Sequence, residues 1–334
     1  MRPPIRHTII ILAAVIFFAC GQIRRPAGTD APNGIAPTAA RIIPEFNKDS
    51  AFYYIERQVG FGPRVPNTAT HRAAGDWLIS TLARFADTVY VQQTRVRAYN
   101  GDLLNIRNII GVFQPENRNR ILLSAHWDSR PWADHDPNPA YLRTPIDGAN
   151  DGASGVGVLL EIARLLSEYN PNVGVDIILF DAEDYGHHDL SPGQDTYAWG
   201  LGSQYWARNP HRADYTARYG ILLDMLGMSN ATFKLEGFSR MYAPDVLRNV
   251  WSTAQRLGFG HHFVDIEGGH IIHDHYFVNT IRHIPTILIM DMSDETEHGF
   301  FRYWHTMNDN MEAIDPFTLY AAGKAVTTVL FEEE

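Results

Sequence analysis

The 334-residue sequence holds a single cysteine, Cys20. One thiol cannot form an intrachain disulfide, so stability must come from packing. No cluster of Lys and Arg occurs, and the formal net charge is -10. Both argue against nucleic acid as a partner. The acidity names no substrate, because most such charge is solvated surface. There are no internal repeats, which excludes solenoids and propellers. The apolar run "TIIILAAVIFFA", residues 8–19, is too short for a comfortable membrane span.

That run has the order of an export signal. Arg2 and Arg6 precede it, and Ala19, Cys20 and Gly21 follow. It resembles a bacterial lipoprotein signal, in which the cysteine is lipidated and becomes the new N-terminus. The expectation is a signal peptide over 1–19, with the protein anchored through lipidated Cys20 in a bacterial envelope, facing the periplasm. A plain secretory peptide with a chance cysteine is the alternative. Removing Arg2 and Arg6 with the signal would take the balance from -10 to -12. Residues 20–45 are rich in Pro, Gly and Ala without a period and read as a flexible tether. The remaining domain, 46–334, has ordinary globular composition and is long enough for a large core.

Within that domain, helix and strand patterns alternate. "NTATHRAAGDWLISTLARF" places Ala74, Trp77, Leu78, Leu82 and Phe85 on one helical face. "TVYVQQTRVRAY" and "LLNIRNIIGVF" alternate like antiparallel strands. "ILLSAH", "VDIILF", "YGILLDMLG" and "IPTILIMDM" are short, continuous apolar runs, as buried strands are. "GVGVLLEIARLLSEY" is helical, with Val156, Leu159, Leu160, Ala163 and Leu166 inward. Two further helices are expected in "YAPDVLRNVWSTAQRL" and "DPFTLYAAGKAVTTVLF". The fold class is α/β, a single domain with a central mixed, mostly parallel sheet covered by helices on both faces.

Ligands of such sheets bind outside the carboxyl ends of the strands. The first buried run ends in His126-Trp127-Asp128, and the second in Asp181-Ala182-Glu183-Asp184. The third carries Asp224. The fourth is followed, after a loop, by Trp304-His305-Thr306. "DGANDGASG" sets Asp151 in a glycine-rich turn that opens a helix. Imidazoles and carboxylates without thiolate suit zinc, and also manganese or cobalt. A divalent cation would explain so many carboxylates where strands leave the core. Taken singly, each motif has a bland reading: a turn, a solvated loop, a hydrogen-bonded histidine. The joint pattern carries the argument. "GHHDL" at 186–190 and "GHH" at 260–262 read as surface.

The order "AHWD", "GANDGASG", "FDAED", "LLDMLG", "WHT" resembles the zinc aminopeptidase superfamily that includes the glutaminyl cyclases. "AHWDSRPWAD", "FDAEDYG", "WGLGSQYWARNPH" and "WHTMNDN" look most like bacterial glutaminyl-peptide cyclotransferases. The resemblance implies a zinc aminopeptidase-like fold and one zinc held by Asp151, Asp184 and His305. It implies Glu183 as general acid and base, Asp224 as the residue that binds the reacting amide, and Trp199 and Trp304 as pocket walls. The implied substrates are peptides and proteins with N-terminal glutamine, cyclised to pyroglutamate with release of ammonia. One position departs from the pattern. Cyclases usually carry Asp-Asp-His after the glycine-rich turn, and this chain has His273-Asp274-His275.

The residues leave two alternatives open. A two-zinc aminopeptidase would add His126 and Asp224 as ligands, with Asp151 bridging and Glu183 activating water. A metal-free binding protein on the same scaffold would lack a ligand or a base, and none is missing.

Overall fold

The computed structural model describes residues 42–188 and 195–334. The expected signal peptide and Cys20 lie outside the described residues. At the end of the expected tether, Lys324 donates to the Pro44 carbonyl and to the Glu45 carboxylate.

In chain order the elements are α1 (Lys48–Val59), α2 (Ala69–Leu82), β1 (Thr88–Arg97), β2 (Leu103–Phe113), β3 (Arg120–His126), α3 (Ala153–Glu168), β4 (Gly174–Phe180) and α4 (Leu201–Arg208). There follow β5 (Tyr219–Leu223), β6 (Phe233–Leu235), α5 (Gly237–Tyr242), α6 (Pro244–Arg256), β7 (Phe263–Glu267), α7 (Asp274–Phe277), β8 (Thr286–Ile289) and α8 (Pro316–Glu332). Local chemistry sets several starts. Asn47 caps α1 by accepting from the amides of Asp49 and Ser50, and Asp315 caps α8 just before Pro316.

The main sheet runs β1-β2-β4-β3-β5-β8. The strands β4, β3, β5 and β8 are mutually parallel, while β1 and β2 form an antiparallel edge. This is the expected mixed, mostly parallel sheet. Alternation along each strand sends side chains to opposite faces of the sheet. Ile121, Leu123 and Ala125 face the larger cluster with α1, α3 and α8. Leu122, Ile178 and Phe180 face a smaller one with Trp206 of α4 and Val278 beyond α7.

Two expectations are corrected. The inward face expected for α3 is buried, but so are Val158, Ile162 and Leu165. The helix lies on the sheet with α1 and α8 against it, so it has almost no solvent side. In the 260–262 tract His261 is exposed, but His262 is buried, its Nδ1 2.8 Å from the Ala231 carbonyl. No helix among the described residues is long and apolar enough to cross a membrane.

Candidate active site and metal centre

The carboxyl ends of β3, β4 and β5 converge beside the start of α3, and the loop after β8 returns over them. Left-handed backbone marks three of the turns: φ is 52° at Ala182, 49° at Met225 and 54° at His305. For residues other than glycine each such conformation costs about 1–3 kcal/mol and persists only where the surroundings enforce it. At Ala182 the chain turns out of β4, and the next two residues, Glu183 and Asp184, both line one cavity. Gly152, at φ 99°, lets the loop pass the Asp128 carbonyl, which an added Cβ would meet at 2.5 Å.

Buried acids hold these loops by accepting pairs of consecutive amides. Asp128 accepts from the Glu183 and Asp184 amides at 3.0 and 3.1 Å. Asp309 accepts from Asn150 and Asp151 at 2.7 and 3.1 Å. Buried Arg64 donates to the carbonyls of Trp127, Asp147 and Gly148, tying the same loop to the end of β3. Arg130 is the corresponding clamp on the other side. It donates to the carbonyls of Asp184, Gly186 and His187 and pairs with Asp134 at 2.6 Å. Its guanidinium lies 4.8 Å from the Trp199 ring centre. Sequence reasoning missed these roles. Asp128 and Asp309 stand inside quoted motifs, but nothing local marks a carboxylate whose partners lie 55 or 159 positions away.

The seven residues singled out from the sequence meet at one place. Asp151, Glu183, Asp184, Trp199, Asp224, Trp304 and His305 all line a cavity of about 230 Å³, with Ile271, His273 and Phe300. A larger open groove of about 590 Å³ by β1 and β2 contains none of them. Donor atoms of Asp151, Asp184 and His305 lie within 4.8 Å of one another, all buried. His305 Nε2 is 3.2 Å from Asp184 Oδ1 and 3.6 Å from Asp151 Oδ2. Its Nδ1 faces Asp134 Oδ1 at 3.1 Å. Trp304 stacks on His305, with ring centres 3.7 Å apart.

This trio fits a divalent cation. Asp184 Oδ2 is buried without a hydrogen-bond partner. Burial, reinforced by Asp151, pushes the Asp184 carboxyl up to about 6. Burial also opposes charge on His305, yet Asp184 raises it to about 9. The site therefore demands positive charge, and two carboxylates with one imidazole are zinc donors that leave a fourth position free.

Glu183 stands beside the trio with its pKa raised well above the usual range, mainly by burial. Asp224 is held low by His126 and His273, although its burial opposes this. His126 lies behind the cavity wall, its Nε2 3.1 Å from Asp151 Oδ1 and 3.3 Å from Asp224 Oδ1.

Comparison with known proteins adds the lineage. The model of the family described as Peptidase family M28 matches residues 108–330. A Zn-dependent exopeptidase from Parabacteroides distasonis is 53% identical, with a TM-score of 0.86, over 87% of this chain and all of that one. A Bacteroides thetaiotaomicron glutaminyl cyclase, solved with N-acetylhistamine bound, is 50% identical with a TM-score of 0.86, over 88% of this chain and all of that one. Among curated proteins, the glutaminyl-peptide cyclotransferase of Bos taurus is 24% identical, over 97% of this chain and 95% of its own length.

Proposed function

The chain belongs to peptidase family M28, and from that premise we propose that it is a zinc-dependent glutaminyl-peptide cyclotransferase acting on peptides and proteins with N-terminal glutamine. The observation that carries this reading is the cavity. Trp199 and Trp304 line the same small space as Glu183, Asp224 and the three donors. Such a space suits one side-chain amide.

Asp151, Asp184 and His305 would hold the zinc, which when bound supplies a Lewis acid for the γ-carbonyl of the substrate glutamine. The nucleophile is the substrate's own α-amine, so proximity is built into the substrate. Glu183 takes a proton from the attacking amine as the new C–N bond forms. It then delivers a proton to the side-chain nitrogen as that C–N bond breaks and ammonia leaves. A residue that both takes and gives a proton needs an affinity above that of an ordinary carboxylate, and the burial of Glu183 raises it in that direction. Asp224, an acceptor, can hold an N–H of the leaving amide. The tryptophans exclude water, which would weaken these interactions and compete as nucleophile.

The alternative is a two-zinc aminopeptidase, which would use His126, close to Asp151 and Asp224, as a ligand. Mass spectrometry of a glutaminyl peptide after incubation separates the two. The expected product has lost ammonia; release of the first residue would overturn the cyclase reading.

We also infer that Cys20 is lipidated and anchors the domain in the bacterial envelope. The support is the sequence order alone: basic residues, an apolar run, then the chain's one cysteine after a small residue.

A further inference from the structure

The family resemblance calls for a carboxylate where this chain carries His273. The structure shows what the imidazole does there. His273 caps α7, and its Nδ1 accepts the Asp274 amide at 2.8 Å. A ring nitrogen that accepts a hydrogen bond carries no proton, so while the cap is made the ring proton sits on Nε2. Burial opposes charge on the ring, yet Glu183, Asp224 and Asp274 raise its proton affinity to about 9 and so hold that proton. That nitrogen lies 3.2 Å from Asp224 Oδ2, which can only accept. The Asp224 oxygens are therefore held differently. Oδ1 faces the Gly152 amide at 3.4 Å and His126 at 3.3 Å. Oδ2 takes the Nε2–H of His273.

We propose that His273 is a positioning residue for cyclisation: its cap on α7 locks the Nε2–H tautomer, and that N–H orients Asp224 toward the leaving amide nitrogen. The inference rests on the cyclase reading and deepens it. A carboxylate at this position would have to share a proton with Asp224 to bridge to it. His273 brings its own, so both Asp224 oxygens stay acceptors. The same lock decides a second question. Donor atoms of His126, Asp224 and His273 lie within 4.8 Å of one another, a spacing that would fit a metal ion. With Nδ1 engaged by the Asp274 amide, Nε2 could bind an ion only by giving up its proton and with it the hydrogen bond to Asp224. Its place is to hold Asp224, not to ligate a second ion.

Two substitutions separate the halves of the ring. His273→Asn keeps an acceptor at the Nδ1 position, so the cap and the fold survive, but removes the donor to Asp224. His273→Gln places an amide N–H near the Nε2 position. For orienting partners of active-site groups, losses of about 10–100-fold are typical. With a glutaminyl peptide as substrate, His273→Asn should lower kcat by that factor, with KM changed less than about threefold, one zinc retained and melting nearly unchanged. His273→Gln should recover most of kcat. Wild-type kcat in His273→Asn, or no recovery in His273→Gln, overturns the inference while the cyclase reading stands. A wild-type chain that leaves the peptide uncyclised overturns both. Nitrogen-15 NMR of the zinc-loaded wild type reads the tautomer without any substitution: Nε2–H is expected, and Nδ1–H overturns the proposal.

Discussion

At the scale of single residues, the proposed cyclase gives the neighbours Glu183 and Asp184 two different tasks. Both are buried and both carry raised proton affinity, yet only Asp184 has an oxygen within 3.2 Å of the His305 imidazole. The left-handed turn at Ala182 and the two amides held by Asp128 fix the backbone that carries both. Glu183→Gln keeps the shape and removes the proton transfer. Turnover should fall by about 10²–10⁴-fold, with one zinc retained by elemental analysis; near-normal turnover would remove Glu183 from its role. Asp134 makes a second residue-level case. It faces Nδ1 of His305 and is clamped by Arg130, the arrangement by which a carboxylate orients a metal-binding imidazole. Asp134→Asn should weaken zinc binding by about 10–100-fold, measured by competition with a chelating dye. An unchanged affinity would leave Asp134 as a partner of Arg130 only.

At the scale of elements, the site is a product of strand ends and one helix start. The continuous apolar runs of β3, β4, β5 and β8 were legible because strands buried on both faces have no polar alternation. The rule that ligands sit past their carboxyl ends then pointed to His126, Glu183, Asp184 and Asp224 together. The burial of α3 on all sides was not legible, since periodicity reports one face and not what covers the other. Close approach makes α3 sensitive. A Cβ on Gly155 would sit 2.2 Å from the Leu223 carbonyl, next to Asp224. Gly155→Ala should therefore push α3 off β5, costing about 1–3 kcal/mol as overpacking does, and should lower turnover by moving Asp151 relative to Asp224. A melting temperature equal to wild type would show that the sheet yields there without strain.

At the scale of the whole molecule, the candidate site lies within the described domain, and the inferred link to the envelope rests on the N-terminal tract alone. Cys20→Ser should abolish fatty-acid labelling in cells and leave the protein unprocessed or soluble. Labelling that persists in the variant, or is absent from the wild type, would sink the lipoprotein inference. The variant should cyclise as well as wild type in whole-cell lysates, because the residues of the cavity lie between Asp151 and His305.

By itself the sequence determined the six strands of the main sheet, four of the helices, the class of sheet, and the residue types that gather at its edge. Those follow from local periodicity and from the few residues that can bind zinc or move protons, and short-range chemistry is written in short stretches of chain. Only the tertiary structure decided how those residues are held. Asp128, Asp309, Arg64 and Arg130 act across long separations in the chain, through buried hydrogen bonds that no local pattern encodes. The placing of His273 belongs with them. Its residue type alone showed only a departure from the family's Asp-Asp-His, and its cap on α7 made it a donor to Asp224. A tautomer depends on what touches each ring nitrogen, and that is settled only when the chain has folded.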